Sequence, residues 1–318
     1  MRFVSIVTLS LLFLTTCGSQ KKGENKQENS PETSLFADSL LVQKVQSHVN
    51  VLCTTSRPRN HENMEILDSV ATYIFHQFEA YCDTVYYQTF EVNKKTYKNV
   101  IGVLNVNASE LVVIGAHYDV CGETPGADDN ASGVSGLIES GRLLSKKEIK
   151  NRIELVAFTL EEPPYFRTEN MGSYHYAKKL KKEKADLKYM VCLEMIGYYD
   201  ENKNTQEYPV DAMKHQYGTQ ANFLAVVENE KQGNVGKDLF DKLKSRSSIK
   251  YEYVQAPSFL TGVDFSDHLS FWKLGLKAFM ITDTSFYRNK HYHEDSDKPE
   301  LLDYNKIALF VVDFVNSF

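Results

Sequence analysis

The sequence is short of several features that would assign it to a common protein class. Among its five cysteines there is no CxxC pair, which argues against thiolate zinc sites and dithiol redox motifs. The net charge of −6 is small, so no nucleic-acid partner is predicted. No internal repeat is visible. What remains is a hydrophobic content of 42% and an aromatic content of 12%, which together support a large core.

The longest apolar run lies at the N-terminus, from Phe3 to Leu14. It follows one arginine and precedes small residues, which is the layout of a secretory signal peptide, and it is too short to be assigned as a membrane span. The run ends in Leu14-Thr15-Thr16-Cys17, which resembles a bacterial lipoprotein box. We therefore predict a signal peptide over residues 1–16 with Cys17 lipidated, and an ordinary cleaved signal is the alternative.

The residues after Cys17 are polar and contain no large apolar side chains until position 35, so residues 17–34 are predicted to be a disordered tether. Residues 35–318 then form a single domain. We expect an exported protein that meets the membrane only through its lipid anchor and faces the periplasm or the cell surface, or that is otherwise secreted. The oligomeric state is not predicted.

The other four cysteines are Cys53, Cys82, Cys121 and Cys192. In an exported protein two of them can be oxidised, and Cys53–Cys82 is the favoured pair because neither residue lies beside the charged loop described below. Four free thiols are the open alternative.

Strand-like and helix-like patterns alternate along the domain. LVVIG (residues 111–115) is continuously apolar, as expected for a central strand that is covered on both faces. Ser132 is expected to cap a helix that runs to Leu144. The alternation predicts a doubly wound, three-layer α/β/α fold with a mostly parallel mixed central sheet. Helices are expected at 36–56, 63–81, 132–144, 171–184, 234–245, 267–274 and 301–317, and strands at 85–92, 97–106, 111–117, 153–160, 188–193, 222–227, 250–254 and 278–282.

One turn-rich stretch, GAHYDVCGETPGADDNASG (residues 115–133), carries a dense set of polar side chains beside a buried run. His117, Asp119, Asp128 and Asp129 all lie within it. Such groups are costly to bury without compensation, and metal ligation is the most economical explanation.

Further candidate ligands follow the other predicted strands. Glu161 and Glu162 follow one strand, Glu194 follows the next, and His291 and His293 follow a later one. The carboxyl ends of parallel strands gather at one edge of a doubly wound sheet, where ligands bind. Imidazole and carboxylate ligands suit zinc, and there are more of them than one zinc needs, which predicts a two-metal site. A pair of adjacent glutamates can supply one ligand and one general base.

Four motifs together resemble the zinc aminopeptidases of metallopeptidase family twenty-eight. They are GAHYDVCGETPGADDNASG, TLEEPPYF, LEMIGYY and SDHLSFW…RNKHYHEDSDKPELLDY, and the resemblance covers roughly residues 40–318. It implies that Asp129 bridges two zinc ions and that Glu161 is the general base. It further implies that Glu162 and His293 complete the shell of one zinc, and that His117 belongs to the other.

One position departs from the family pattern. The residue after the third strand is usually Asp in better-known members, and here it is Glu194, whose extra methylene requires a different approach to the metal. We expect Glu194 to be the second ligand of the His117 zinc. Asp119 is expected to orient His117 without binding metal, whereas His268 and His291 are expected to remain outside the ligand set.

The resemblance implies a zinc metallopeptidase that hydrolyses N-terminal residues from a peptide substrate. Glu161 would take a proton from the attacking water and return it to the leaving amine, with Tyr287 or Tyr292 stabilising the oxyanion. Three alternatives stay open. They are a single-zinc glutaminyl cyclase of the same fold, a carboxypeptidase that uses Arg167 or Arg288, and a tethered binding module.

Overall fold

The computed structural model describes residues 37–246 and 249–318. The predicted signal peptide (1–16), the lipidated Cys17 and the tether (17–34) lie outside the described residues. Within the described ranges, every helix is too short or too polar to cross a membrane.

A mixed sheet of eight strands runs through the domain. The strands are β1 Thr84–Val92, β2 Lys95–Leu104, β3 Leu111–His117, β4 Arg152–Phe158, β5 Leu187–Glu194, β6 Phe223–Asn229, β7 Lys250–Ala256 and β8 Ala278–Thr282. Their order across the sheet is β1-β2-β4-β3-β5-β8-β6-β7. The four central strands β4, β3, β5 and β8 are parallel, while β2 and β6 join this block antiparallel on either side.

The helices cover both faces of this sheet. They are α1 Ser39–Cys53, α2 Met64–Glu79, α3 Gly133–Leu144, α4 Gly172–Glu183, α5 Met213–Tyr217, α6 Lys237–Arg246, α7 His268–Lys273 and α8 Tyr304–Val315. Apolar side chains of α1, α2, α3, α6 and α8 pack in one core cluster, whereas those of α4 and α7 pack in a second. The predicted three-layer α/β/α architecture is therefore confirmed.

Strand β3 shows why the apolar run predicted this arrangement. All seven of its residues are buried. Val112 and Ile114 belong to the first core cluster and Leu111 and Val113 to the second, because successive side chains of a strand point to opposite faces. A strand with helices on both sides is apolar along most of its length, and the polar residue of β3, His117, is its last residue.

Two local predictions were wrong. Ser132 does not cap α3, since its hydroxyl donates to the Asp128 carbonyl at 2.7 Å. The N–H of Gly133 instead donates to Oδ1 of Asn130 at 3.1 Å, so Asn130 caps the helix. Ser132 cannot fill that role because its own backbone is already helical.

The favoured Cys53–Cys82 pair is also not formed, since the four cysteines of the described ranges are free. The thiol of Cys82 lies against Gly102 of β2, where an added Cβ would come within 2.7 Å of Sγ. Burial raises the pKa of the Cys53 thiol to about 11 and that of the Cys82 thiol to about 12. Both are therefore protonated and unreactive at neutral pH.

Candidate active site

The carboxyl ends of three central strands bring the predicted site residues together. His117 is the last residue of β3, Glu194 is the last residue of β5, and Glu161 and Glu162 follow β4. β3 and β4 are in parallel register at this edge, with His117 opposite Phe158. The four polar side chains are at least nine-tenths buried. The sheet thus places residues that are distant in sequence within one buried cluster.

His117, Asp129 and Glu194 form one group of potential ligands, which we call the His117 side. The Nε2 atom of His117 lies 3.3 Å from Oδ1 of Asp129 and 3.3 Å from Oε2 of Glu194. One ligand atom from each residue lies within 4.8 Å of the other two. The longer side chain of Glu194 therefore reaches the group, and the hydroxyl of Ser266 donates to its Oε2 at 2.5 Å.

The other oxygen of Asp129 faces a second group, with Glu162 and His293, which we call the His293 side. The Nε2 atom of His293 lies 3.1 Å from Oδ2 of Asp129 and 3.2 Å from Oε2 of Glu162. The two carboxylate oxygens of Asp129 thus approach different histidines, which is the disposition of a bridging ligand.

Several of these atoms are close together without forming hydrogen bonds. In the described part of the chain, Asp129 Oδ1, Glu162 Oε1 and His293 Nε2 are buried and have no hydrogen-bond partner. Buried polar atoms without partners are costly, and native proteins rarely leave them so. Imidazole and carboxylate atoms that converge without bonding one another fit a divalent metal ion of the zinc class.

Burial and neighbouring charges shift the pKa values of the carboxylates in different directions. Although burial opposes it, the imidazoles of His117 and His293 hold the pKa of Asp129 below its usual range. Burial raises the pKa of Glu161 well above its usual value, against the attraction of His117. Burial likewise raises the pKa of Glu162 to about 8. Asp129 is therefore the carboxylate best kept ionised as a bridge, and Glu161 is suited to hold a proton.

Glu161 lies between the two sides of the centre, and one of its carboxylate oxygens is within 4.8 Å of ligand atoms of His117 and Glu162. Its Oε2 is 4.0 Å from Nε2 of His117, further away than the oxygens of Asp129 and Glu194. It also lines the adjoining cavity, so that it faces the space in which a substrate would lie. This position is appropriate for proton transfer.

Asp119 supports the site through two different groups. Its backbone carbonyl lies 3.2 Å from Nδ1 of His117, closer than its carboxylate at 3.7 Å. The carboxylate oxygens accept the backbone N–H groups of Glu161 and Glu162, each at 3.2 Å. The expected orienting residue thus holds both the histidine and the glutamate pair.

Arg59, which the sequence did not single out, holds the loop that carries these ligands. It is 1% exposed, and its guanidinium donates to four backbone carbonyls. Three of the carbonyls belong to the ligand loop and one to the end of α1. They are those of Tyr118 at 2.8 Å, Pro125 at 2.5 Å, Gly126 at 2.6 Å and Leu52 at 3.0 Å. Arg59 therefore binds both ends of the loop between β3 and Ala127, at Tyr118 and at Gly126, through its single guanidinium group.

Two further supports act on Asp129 itself. The carboxylate of Asp297 accepts the backbone N–H groups of Asp128 at 3.0 Å and of Asp129 at 3.1 Å. Gly126 precedes them with φ of +63°, and an added Cβ would lie 2.4 Å from the Asp129 carbonyl oxygen. Only glycine fits this close approach. No spacing rule in the sequence points to Asp297 or Arg59.

A cavity of about 340 Å³ opens beside the metal-ligand cluster. Its walls are largely apolar or aromatic, and the segment between β5 and β6 contributes to them. The residues that define it include Phe166, Tyr208, Met213, Phe223, Phe265 and Tyr292. A pocket of this kind suits an apolar side chain held next to the polar cluster.

Other candidates from the sequence lie elsewhere. His268 is buried and bonded to the Val263 carbonyl at 2.8 Å, and His291 is bonded to Ser296 at 2.8 Å, so neither faces the ligands. The Tyr287 hydroxyl donates to the Thr261 carbonyl at 3.1 Å.

The two arginines considered for a carboxypeptidase are also engaged with other groups. Arg167 is paired with Asp264, and Arg288 donates to Gln206 and to the Tyr198 carbonyl. Neither arginine is among the described residues that line the cavity.

Comparison with known families identifies the chain. The sequence profile of Peptidase family M28 matches residues 99–311, two thirds of the chain and all of the predicted ligands. The chain belongs to Peptidase family M28. It is 39% identical over 277 residues to a protein of Escherichia coli (strain K12) described as "Uncharacterized protein YfbL", with 85% of each chain covered.

Aminopeptidases are among the relatives of this M28 chain. It is 28% identical over 212 residues to "Leucine aminopeptidase 1" of Emericella nidulans, which covers 62% of this chain. The match spans 48% of that relative, so the chain corresponds to about half of it. These relatives and the family together make the chain a peptidase of the hydrolase class with aminopeptidase homologues.

Solved structures confirm the fold. The LapA aminopeptidase of Legionella pneumophila superposes with a TM-score of 0.69 at 21% identity, covering 94% of this chain and 77% of that one. A glutaminyl cyclase of Bacteroides thetaiotaomicron superposes with a TM-score of 0.66 at 17% identity, covering 87% and 96%. At these identities the similarity establishes the fold alone, since both activities occur on it.

Proposed function

We propose that this M28 peptidase is a two-zinc aminopeptidase that removes N-terminal residues from peptides. The observation that carries the proposal is the placement of Asp129, whose two oxygens lie 3.3 Å from His117 and 3.1 Å from His293. Each side adds one more carboxylate, Glu194 or Glu162. Three protein ligands on each side leave coordination positions open for chemistry.

His117, Asp129 and Glu194 would hold one zinc ion, and Asp129, Glu162 and His293 would hold the other. When bound, the zinc ions would polarise the scissile carbonyl and lower the pKa of the attacking water.

Glu161 carries the proton in this mechanism. It accepts a proton from the attacking water and later donates it to the leaving amine, which its buried position beside His117 permits. Burial raises the pKa of Glu161, so this carboxyl group holds a proton more readily than an exposed glutamate does.

Tyr292 is the better of the two candidate tyrosines for the developing oxyanion. Its ring packs on His293 with centroids 3.8 Å apart and lines the cavity, whereas the Tyr287 hydroxyl is bonded to Thr261. An O–H donor aimed at the developing negative charge stabilises the transition state.

The charge distribution favours a substrate with a free N-terminus. Asp129, Glu161, Glu162 and Glu194 all lie where the cavity meets the ligand cluster, and with three of them committed to metal, Glu161 is the carboxylate left to attract a free amino group at this end of the cavity. The arginines that a carboxypeptidase would use to hold a terminal carboxylate lie away from the cavity lining described above. An N-terminal apolar residue would then place its side chain among the aromatic walls.

The two sides of the site argue against the glutaminyl cyclase alternative, which retains a single zinc. A single metal would leave His117 or His293 without the ion that explains its position, and each side offers one imidazole and two carboxylates. A binding module without catalysis gives no reason for Glu161 to lie beside the ligands and face the cavity.

The proposal further includes zinc as the metal, with two ions per chain, and a peptide as the partner. It also includes an export signal followed by the lipidated Cys17. The anchor rests on the N-terminal sequence alone. Fractionation of cells that express the full chain or its Cys17→Ser variant tests it, because loss of the lipid should move the protein from the membrane to the soluble fraction.

A panel of matched peptides tests the activity. Peptides with free N-termini, their N-acetylated forms, C-amidated forms and peptides that begin with glutamine are incubated with the protein, with and without a chelator. We expect release of N-terminal residues from free and C-amidated peptides only, lost with chelator and restored by zinc. Cleavage of the acetylated peptides, or cyclisation of glutamine without hydrolysis, would contradict the aminopeptidase assignment.

A further inference from the structure

Cys121 lies in the ligand loop, four residues after His117, and its thiol is close to the His293 side. Its Sγ, a carboxylate oxygen of Glu162 and a ring nitrogen of His293 all lie within 4.8 Å of one another. The thiol is half-buried and free. No sequence pattern marks Cys121 as a ligand, because a lone cysteine without a CxxC partner rarely binds metal.

The neighbours of Cys121 are themselves short of partners. Glu162 is 4% exposed, and within the described residues its Oε1 has no hydrogen-bond partner, nor has Nε2 of His293. A thiol beside the side chains of Glu162 and His293 completes a set of sulfur, oxygen and nitrogen donors around one space. That set differs from the His117 side, where imidazole and carboxylate groups alone converge.

We propose that the Cys121 thiolate is an additional ligand of the metal ion held by Glu162 and His293, which makes the two metal sites of this enzyme chemically unequal. The inference rests on the metal centre of the proposed function. On binding, the sulfur–metal bond forms, the thiol proton passes to solvent, and no group is oxidised or reduced.

A thiolate ligand changes which ions the site prefers. Sulfur donors select zinc and other soft ions, whereas carboxylate and water ligands suit manganese and magnesium. The His293 side should therefore hold zinc, cobalt(II) or cadmium(II) firmly and discriminate against manganese(II). The His117 side, without sulfur, should discriminate less.

Cobalt(II) gives a direct readout, because a cobalt–thiolate bond produces a charge-transfer absorption band in the near ultraviolet. The metal-free protein is loaded with cobalt(II) alone and its absorption is recorded. We expect the band in the unaltered protein and in Cys53→Ser, which removes a half-buried thiol outside the metal-ligand groups, but not in Cys121→Ser. No band in the unaltered protein, or a band that survives in Cys121→Ser, overturns the proposal.

Metal selectivity provides the second readout. Calorimetric titration with cadmium(II) or manganese(II) alone should show that Cys121→Ser weakens cadmium binding at one site by at least about tenfold and leaves manganese binding unchanged. Cys121→Ala serves as a second variant, and circular dichroism checks that each variant is folded. Equal losses for both metals would assign Cys121 to packing only.

These readouts are separate from the peptide panel. The cobalt band without peptide hydrolysis would support ligation by Cys121 and refute the aminopeptidase. Hydrolysis without the band would do the reverse.

Discussion

The His117 side and the His293 side of the metal centre are built differently. His117 and Glu194 are terminal residues of central strands, and the side chain of His117 is 1% exposed. His293 lies in a loop after β8, has φ of +60°, and its side chain is 27% exposed. The first side is therefore fixed by the sheet, whereas the second depends on loop contacts. The difference suggests a rigid site joined through Asp129 to a more adjustable one.

Glu161 lies between the two sides, and its loss should have the largest effect. Glu161→Gln keeps the size of the side chain and removes the base, so hydrolysis should fall by about 10²–10⁴-fold. Metal content should not change, because Glu161 is not a proposed ligand. Peptide assays together with elemental analysis check both points. If activity persists, the base is misassigned, and if metal is lost, Glu161 is a ligand.

Removing one histidine from each side compares them directly. His117→Asn should lower the free energy of unfolding by about 3–5 kcal/mol, because it removes a zinc ligand and leaves the buried carboxylates of Asp129 and Glu194 without the metal cation. His293→Asn, at a more exposed position, should cost about 1 kcal/mol. Each variant should lose about one metal ion per chain. Denaturant unfolding and metal analysis measure these effects, and equal destabilisation would show that both sides are equally rigid.

Acid should lower the stability of the folded chain through His268. This residue lies two positions after Ser266, which donates to Glu194 on the His117 side. Burial lowers the pKa of His268 to about 4 from 6.5. Between these values the unfolded chain binds a proton that the folded chain does not, so stability falls as pH decreases from 6.5 to 4. The loss attributable to His268 should approach about 3 kcal/mol.

The measurement compares pH-dependent unfolding of the unaltered chain, His268→Asn, and His76→Asn as an exposed control. His268→Asn should flatten the curve over this range, and the control should not. An unchanged pH dependence in His268→Asn would exclude this histidine as the cause.

Substitution of Arg59 shows how much the shape of the ligand loop depends on the hydrogen bonds of its guanidinium group. Arg59→Met leaves buried carbonyls without donors and should lower stability by about 2 kcal/mol and metal affinity by about tenfold. Arg57→Met is the matched control, since the side chain of Arg57 is 54% exposed. Thermal unfolding and metal competition measure both. Normal metal affinity in Arg59→Met would mean that the loop holds its shape without the guanidinium.

Much of the fold could be predicted because its causes are local. The apolar run of β3 and the helical spacing in α2 and α8 each reflect a face that must be buried, and the sequence displays that face directly. The capping of α3 could not be predicted in the same way. Asn130 and Ser132 are both good capping residues, and only the wide turn before the helix decides between them.

The site was predictable where it follows strand ends and unpredictable where it depends on long-range support. His117, Glu161, Glu162 and Glu194 gather because parallel strands end at the same edge. Arg59 and Asp297 act on carbonyl and N–H groups of the loop, and any residue can supply such backbone groups. The sequence therefore leaves no pattern at either end of those contacts. Cys121 could not be predicted as a ligand because it has no CxxC partner and its neighbours Glu162 and His293 come from two other segments of the chain.

The two ends of the segment between β5 and β6 are joined by an antiparallel β-bridge between Asp200 and Ala221. This segment carries Gln206, Tyr208 and Met213 to the cavity and none of the proposed ligands. Part of the cavity wall is therefore encoded in a stretch that contains none of the proposed ligands. Changes within residues 201–220 would alter this part of the cavity wall without removing a proposed metal ligand.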